Sequence, residues 1–435
     1  MNKRMHLISF NMHSSINHSI MSWADPEDER LEGLASFDHW KRLARTLERG
    51  RFDAMFFADT PGGFDRYKES LDDYVRYGVC WPCHDPMALA GVMLAETTHL
   101  GLAVTLSTSG TYPYMTVRRL STLDYLSGGR AGWNIVSGHL RGEHRALGVP
   151  QLEHDQRYDH ADEYMEICHA LWNGIKPGAI KADREKGIYG DPEKVDVIDF
   201  EGEHFSCHAV PPTLPSAQGR PVLFQAGSSG RGMQFAMKHA DVVFAIQPRL
   251  SEMTRFVKKL DDAAVSAGRA ETPKVVFGIQ CILGATESEA KRTQAEMLER
   301  IPLDAALSRM SGTLGLDFSK FDLDQPLAKN DTQASRGMLQ MLANLTGDGN
   351  ATVRDAAMVF GASTGMLQIV GTPEQVADQL ETLWRESGCH GFNITPAANI
   401  KSVEDFVDHV VPRLQDKGVF RREYESTTLS GNLAN

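Results

Sequence analysis

The sequence predicts a (β/α)₈ barrel, and three observations lead to that prediction. Short runs rich in β-branched and aromatic residues recur along the 435-residue chain, each followed by an amphipathic helical pattern. Most of the runs are apolar throughout, as the strands of a parallel sheet covered on both faces are. There are eight of them, and eight strands alternating with helices favour a closed barrel over an open sheet.

The first half of the chain holds four of these units. The predicted strands are HLISF (6–10), DAMFF (53–57), LGLAVTLST (100–108) and RAGWNIVSG (130–138). After the first, Trp40, Leu43, Ala44 and Leu47 recur at i, i+3, i+4 and i+7, which gives a helix one apolar face. Helices are also predicted from Pro86, from 114 to a double glycine at 128–129, and over 157–172.

The second half repeats the alternation with two interruptions. Strands are predicted at 221–227, 241–246, 274–284 and 391–395, and helices at 230–239, 251–267, 285–300, 373–387 and 402–416. Residues 173–220, with a hairpin around VDVIDFEGEHFSC, and residues 301–365 do not fit the alternation. We interpret both as insertions in the βα loops of one domain spanning 1–435, because such loops cover the active-site mouth of a barrel.

Composition excludes several classes of function. The formal net charge is −12, whereas a nucleic-acid or anionic-membrane partner would require a concentrated basic surface. No apolar run is long enough to span a membrane, and Asn11 and His13 interrupt the apolar stretch at the N-terminus before a signal peptide could form, so we expect a cytoplasmic protein. The six cysteines lack the density of a disulfide framework, so we expect reduced thiols.

The pentapeptide CWPCH (80–84) matches the sequence motif of a haem-attachment site, and its CxxC part matches the motif of a redox dithiol. Haem attachment occurs outside the cytoplasm, and a redox dithiol opens a helix directly after a strand. Here a polar, loop-like stretch precedes the cysteines and Pro86 follows them. We therefore interpret Cys80 and Cys83 as ordinary thiols in a long connection.

Polar side chains follow the predicted strands at the end where barrels carry out their chemistry. Thr105 and Ser107, two residues apart, face the same side of their strand. His154 and Tyr158 are one helical turn apart, so they can present donors to one point. The candidates are Asp59, Thr105, Ser107, Asn134, Ser137, His139, His154, Tyr158, Ser228 and Ser229.

The most explicit candidate is GSSG at 227–230, where a strand runs into the start of a helix. Backbone N–H groups, two hydroxyls and the helix dipole together favour an anion such as a phosphate. The alternative is a plain helix cap. A Rossmann GxGxxG, a GxxxxGK[ST] loop, an HExxH pair and an HxH pair after the first strand are all missing, so nicotinamide, ATP and metal chemistry lose support and no metal site is predicted.

A series of stretches, in order, resembles the bacterial-luciferase-like flavin monooxygenases. These are FDAMFFAD (52–59), AVTLST (103–108), LSTLDYLSGGRAGWNIV (120–136), LEHDQRYDHADEYMEICHALW (152–172), GRPVLFQAGSSGRGMQFAMKHADVVF (219–244), VGTPEQVADQL (370–380) and FVDHVVPRLQDKGVFRREY (406–424). The chain is most similar to the branch with nitrilotriacetate monooxygenase component A, dibenzothiophene sulfone monooxygenase and long-chain alkane monooxygenase.

The resemblance implies a homodimer or homotetramer that takes reduced FMN from a separate NAD(P)H:flavin reductase and uses O₂ to oxygenate a small organic substrate. It implies FMN binding by Asp59, Thr105, His154, Tyr158 and Ser228, with Ser229 as a neighbour. The alkane enzyme has a cysteine and a histidine in its first loop, where this chain has Ser14 and Asn17, so alkane hydroxylation is not implied. The family's Thr-Ser pair after strand four is replaced by Ser137 and Gly138.

Position at the strand ends assigns the remaining roles. His139 is the predicted catalytic residue that moves a proton, and Asn134 is predicted to bond near the flavin, with Ser107 and Ser137 as further cofactor contacts. Three alternatives stay open: a flavin-binding protein without turnover, a flavin-degrading lyase of the same branch, and a metal-dependent barrel hydrolase.

Overall fold

Eight parallel strands close into a barrel in the computed structural model, which describes residues 4–227, 229–327, 332–345 and 350–434. The strands described are β1 His6–Asn11, β2 Ala54–Phe57, β3 Gly101–Ser107, β4 Ala131–Val136, β5 Ile180–Asp183, β6 Ile188–Gly190, β7 Ile198–Glu201, β8 Ser206–Ala209, β9 Val222–Gln225, β10 Val242–Ala245, β11 Lys274–Leu283, β12 Leu367–Gly371 and β13 Gly391–Pro396. The barrel order is β1-β2-β3-β4-β9-β10-β11-β13, and β13 pairs again with β1. The predicted barrel is confirmed, and each of its eight strands lies where the apolar runs placed it.

Helices follow the barrel strands and cover the outside. Those described are α1 Arg30–Gly33, α2 Phe37–Arg49, α3 Asp72–Arg76, α4 Met87–Glu96, α5 Pro113–Leu126, α6 Arg141–Leu147, α7 His154–Asn173, α8 Gly230–His239, α9 Leu250–Ser266, α10 Glu287–Glu299, α11 Leu303–Leu314, α12 Arg336–Ala343, α13 Val353–Ser363, α14 Pro373–Ser387, α15 Lys401–Asp405, α16 Val411–Asp416 and α17 Leu429–Leu433. A π turn, Phe406–Val410, joins α15 to α16. No helix in the described ranges has the length and apolar character that a membrane crossing requires.

Alternate residues of each barrel strand serve two different cores. In β2, Met55 faces the helices, whereas Phe56 faces the interior of the barrel. The Phe56 ring lies 5.7 Å from Phe10, 5.9 Å from Phe224 and 5.5 Å from Phe244, measured between ring centroids. These rings fill the interior, so ligands are left with the rim of the barrel.

The two insertions lie at different ends of the barrel. Residues 301–365 fall between β11 and α14, in a βα connection, and carry α11, α12 and α13 over the carboxyl ends of the strands. Arg309 of α11 donates to the carbonyl of His18 (2.8 Å) in the loop after β1, which holds this insertion against the mouth.

Residues 173–220 follow α7 and precede β9, so they form an αβ connection, and the expectation that they lengthen a βα loop is wrong. A chain leaving a helix of the outer layer returns toward the amino ends of the strands. Its β7–β8 hairpin is the predicted one, and Glu163 of α7 accepts hydrogen bonds from three successive backbone N–H groups at its turn, 203–205. The β5–β6 hairpin was not predicted.

Candidate functional site

A cavity of about 250 Å³ opens at the carboxyl ends of β4, β9 and β10, under α12 of the insertion. Five of the predicted site residues line it: Ser137, His139, His154, Tyr158 and Ser229. Thr105 and Asn134 are buried in the strand ends below it, and Asp59 and Ser107 lie at the ends of the neighbouring strands β2 and β3 without lining it. Ser228 lies outside the described residues.

The amino end of α8 forms one side of this cavity. Ser229 caps the helix, and its hydroxyl accepts a hydrogen bond from the backbone N–H of Gly232 (3.0 Å). Burial raises the pKa of the Tyr158 phenol, which the hydroxyls of Ser229 and Ser137 hydrogen-bond. The guanidinium carbon of Arg231 lies 5.5 Å from the centre of the Tyr158 ring. Hydroxyls, a helix amino end and a nearby cation together suit a phosphate.

Thr105 and Asn134 form a short hydrogen-bonded chain because they are paired in register across β3 and β4. The Thr105 hydroxyl donates to the carbonyl of Phe57 (2.7 Å) and accepts from the Asn134 side-chain amide (2.9 Å). That arrangement fixes the orientation of the amide, and its Oδ1 is buried with no partner among the described residues. Asn134 is therefore an oriented acceptor, since an unpaired buried polar atom is costly without a ligand.

Asp59 lies two residues beyond the end of β2 and is hydrogen-bonded by a cysteine of the CWPCH stretch. The Cys83 thiol donates to the Asp59 carboxylate at 3.3 Å. Burial raises the pKa of the Asp59 carboxyl to about 6, and the carboxylates of Asp85 and Glu143 act in the same direction. A carboxyl of this kind changes charge close to neutral pH.

His139, the predicted catalytic residue, lies just beyond β4. Its Nε2 is buried and has no hydrogen-bond partner among the described residues. Burial lowers the pKa of its imidazole to about 4, with Arg157 and His144 adding to the effect, so the ring is neutral at pH 7. A neutral imidazole donates or accepts a hydrogen bond at Nε2, depending on its tautomer, and the catalytic role of His139 stays a prediction.

His154 begins α7 beside Tyr158, with 5.4 Å between the ring centroids. Its Nδ1 is 2.6 Å from the Asp155 carboxylate, so Nδ1 donates to that carboxylate, and the side chain lines the cavity. The Ser107 hydroxyl donates to the buried carboxyl of Glu143 and accepts from the backbone N–H of Ser109 (3.2 Å).

Three polar residues of the site were not singled out from the sequence: Gln225, Glu143 and Arg157. Gln225 ends β9 within an apolar run, and its Oε1 is buried without a partner in the described part of the chain. A glutamine at the carboxyl end of a buried strand was a usable signal. Glu143 and Arg157 lie on α6 and α7, and only the packing of those helices turns them inward.

The CWPCH stretch lies between α3 and α4, in a connection as predicted. Cys80 is buried in the interior core, and burial raises the pKa of both thiols, so they are protonated. The stretch pairs with the loop after β1, where the backbone N–H of His84 donates to the carbonyl of His13 (2.8 Å). It is therefore part of the rim of the barrel rather than a free surface loop.

The donor set of the site fits FMN. One edge of the flavin ring carries carbonyl acceptors and an N–H donor. The unpartnered amide oxygens of Asn134 and Gln225 can accept from the N–H group, and the nitrogen of His139 can donate to a carbonyl. The helix end at Ser229 suits the phosphate. No group of three or more metal-ligating side chains is found among the described residues.

Comparisons with known proteins identify the family of the chain. The luciferase-like monooxygenase family matches residues 12–391. The chain is 37% identical over 439 residues to a long-chain alkane monooxygenase of Geobacillus thermodenitrificans, covering 100% of this chain and 94% of that protein. It is 33% identical over 441 residues to nitrilotriacetate monooxygenase component A of Aminobacter aminovorans (99% and 96% covered). It is also similar to a riboflavin lyase solved with modified FMN and its substrate riboflavin (TM-score 0.92, 33% identity, 100% and 96% covered).

Proposed function

Because the chain belongs to the luciferase-like monooxygenase family, we propose that it is the oxygenase of a two-component system. It takes reduced FMN from a separate NAD(P)H:flavin reductase and uses O₂ to oxygenate a small organic substrate. The component A name of one relative supports the separate reductase, and the modified FMN bound to the riboflavin lyase supports the choice of flavin.

One observation carries the proposal: buried polar atoms without partners converge at the carboxyl ends of the barrel strands. Asn134 Oδ1, Gln225 Oε1 and His139 Nε2 are all buried and unpartnered in the described residues. Each buried polar atom left unpaired costs the folded protein about 1–3 kcal/mol. A polar ligand that pairs with these atoms recovers that free energy on binding. The adjacent helix end at Ser229 adds a place for a phosphate.

In this proposal some residues bind the cofactor and others take part in the chemistry. The phosphate end of FMN is held by Ser229, Tyr158, His154 and Ser228. Thr105 orients Asn134 toward the flavin ring, and the rim of the site is completed by Asp59, Ser107 and Ser137. Bound reduced FMN supplies the electrons that activate O₂. His139 holds or transfers a proton at Nε2, and the insertion carrying α12 excludes water from the cavity.

The test compares FMN with riboflavin, which lacks the phosphate. We expect FMN to bind more tightly, and Ser228→Ala to weaken FMN by about 1.5–3 kcal/mol, the value of a charge-assisted hydrogen bond, while riboflavin is unaffected. Flavin fluorescence quenching measures both affinities. Equal affinities of the wild-type protein for the two flavins would contradict the phosphate site.

The likeness to the riboflavin lyase favours a second candidate, a flavin-degrading lyase. A lyase of this kind consumes riboflavin as its substrate, whereas an oxygenase leaves riboflavin untouched and returns oxidised FMN after each turnover. Chromatography of a mixture of FMN and riboflavin after many turnovers separates the two functions. A binding protein without turnover is distinguished by the absence of oxygen uptake when reduced FMN is supplied.

A further inference from the structure

Arg157 stands between two cavities. It lines the inner cavity of the candidate site and also an outer cavity of about 360 Å³, which lies between the start of α7 and the insertion. His139 is the other charged or titratable side chain that lines both. Arg157 is only 3% exposed, so its positive charge is removed from bulk water.

The charge of Arg157 is not matched by a carboxylate. Its Nη1 donates to the carbonyl of Leu152 (3.0 Å), and its Nη2 donates to the carbonyls of Gln333 (3.1 Å) and Ala334 (3.4 Å). Its Nε is buried and has no partner, and no salt bridge to it exists within the described residues. A buried cation without an ionised partner is costly, so a missing anion is the expected complement.

The neighbouring charges do not supply that anion. Asp155 follows on the same turn, but it is bonded to the imidazole of His154. In the outer cavity, Arg141 is paired with Asp65 and Glu69, and Arg66 with Glu69.

Glu153 also lies near Arg157, but it is exposed and caps the start of α7. The buried carboxyl of Glu143 is hydrogen-bonded by Ser107, and burial raises its pKa. Arg336, the other cation of the inner cavity, is exposed to solvent. Arg157 is thus the buried cation of this region that lacks a hydrogen-bonded carboxylate among the described residues.

Holding the insertion in place explains only part of this arrangement. The bonds from Nη2 to backbone carbonyls tie residues 333–334 to α7, whereas Nη1 bonds the carbonyl of Leu152 just before that helix. They do not use Nε, and a neutral amide could donate to carbonyls at a lower cost of desolvation. The remaining N–H and the unmatched charge point to a ligand.

We propose that Arg157 binds an anionic group of the organic substrate, a carboxylate or a sulfonate, at the junction of the two cavities. The substrates are therefore small organic anions, held with the acid group at Arg157 and the atom to be oxygenated in the inner cavity. The inference rests on the proposed function for the reaction but not for the binding. The other source of an anion is the FMN phosphate, which the helix end at Ser229 already accommodates.

The test uses matched pairs of compounds, each skeleton supplied as its carboxylate and as its primary amide, on thioether, amine and aromatic frameworks. Thermal unfolding of the FMN-loaded protein reports binding without turnover. We expect at least one carboxylate to raise the unfolding midpoint more than its amide does, with about tenfold tighter binding by titration. No preference for the acid in any pair would overturn the proposal.

Three variants assign the preference to Arg157. Arg157→Gln should abolish it, and Arg157→Lys, which keeps the charge, should keep part of it. Arg184→Gln makes the same change of net charge at an exposed side chain between β5 and β6 that lines neither cavity, so it should leave the preference intact. If Arg157 only holds the insertion, both variants of Arg157 will weaken acid and amide equally. Arg157→Lys decides between these outcomes should Arg157→Gln fail to fold.

Flavin binding separates the two sources of the anion. We expect Arg157→Gln to leave the ratio of FMN to riboflavin affinity within about twofold of the wild-type ratio. A collapse of that ratio with the acid preference unchanged would assign Arg157 to the cofactor phosphate and overturn the proposal. Failure of the wild-type protein to bind any flavin would instead contradict the proposed function, and the acid and amide comparison would then be made on the flavin-free protein.

Discussion

Replacing Asp59 by asparagine should stabilise the folded protein at neutral pH. Burial raises the pKa of the Asp59 carboxyl from 3.8 to about 6 on folding. The folded chain therefore binds more protons than the unfolded chain between these values, so stability falls as pH rises through this window and the loss is complete above pH 6. Asparagine has nearly the same shape and no charge to bury.

The size of the effect follows from the two pKa values. They differ by about 6 − 3.8 = 2.2, and at about 1.4 kcal/mol for each pKa unit the full cost is roughly 3 kcal/mol. At pH 5 about half of that cost applies, since the unfolded carboxyl is ionised and the folded one is mostly protonated. Asp59→Asn should thus gain about 3 kcal/mol at pH 7.5 and about 1.5 kcal/mol at pH 5.

Urea unfolding at both pH values measures the gain. Asp199→Asn is the control, because it removes a carboxylate whose side chain is 75% exposed on the β7–β8 hairpin, and it should change stability by under about 0.5 kcal/mol at either pH. The reasoning is refuted if Asp59→Asn is no more stable than the wild-type protein at pH 7.5, or if its advantage does not grow between pH 5 and pH 7.5. A stabilising variant that loses turnover would show that this carboxyl is retained for function.

Three further predictions concern single side chains. His139→Ala should keep its affinity for FMN within about tenfold of the wild-type value, roughly 1.4 kcal/mol. Its rate of product formation should fall 10²- to 10⁴-fold, and its release of hydrogen peroxide should rise. Loss of FMN binding, with oxygen uptake still coupled to product formation, would make His139 a cofactor-binding residue. Because the pKa of His139 is about 4, the coupling of oxygen uptake to product should show no step from this group between pH 6 and 8, and a step that disappears in His139→Ala would contradict the neutral ring. Cys83→Ser keeps a donor to Asp59, so turnover should stay within a few-fold of the wild-type value. Cys80→Ser places a hydroxyl in the interior core, so the free energy of urea unfolding should fall by about 1–3 kcal/mol. Equal, reductant-dependent losses of activity in both variants would indicate a redox pair.

The barrel was predictable because its strands carry their own signal. Runs such as KVVFGIQCIL are apolar on both faces, and the structure buries eight of its ten residues. β12 was missed because Leu367–Gly371 is short and pairs only with the carboxyl half of β11, outside the barrel. The β5–β6 hairpin was missed because its exposed residues lack an alternating pattern.

The site was predictable only where the backbone alone fixes the position. Ser137, His139 and Ser229 lie within four residues of the end of a strand, and in a barrel the ends of strands meet at one rim. Arg157 and Glu143 depend on how α6 and α7 pack against that rim, so their helical spacing resembled that of solvent-facing charges. The contact between Cys83 and Asp59 joins residues 24 apart through a connection of irregular structure, which no periodicity encodes.

Labelling with ¹⁸O₂ tests the central claim most directly. The protein, FMN, NADH and a generic flavin reductase are incubated under ¹⁸O₂ with a panel of organic acids and amides, and products and flavins are analysed by mass spectrometry. The account predicts one ¹⁸O atom in each product molecule and FMN recovered unchanged. A product that takes its oxygen from water, or turnover that consumes the flavin itself, would contradict it.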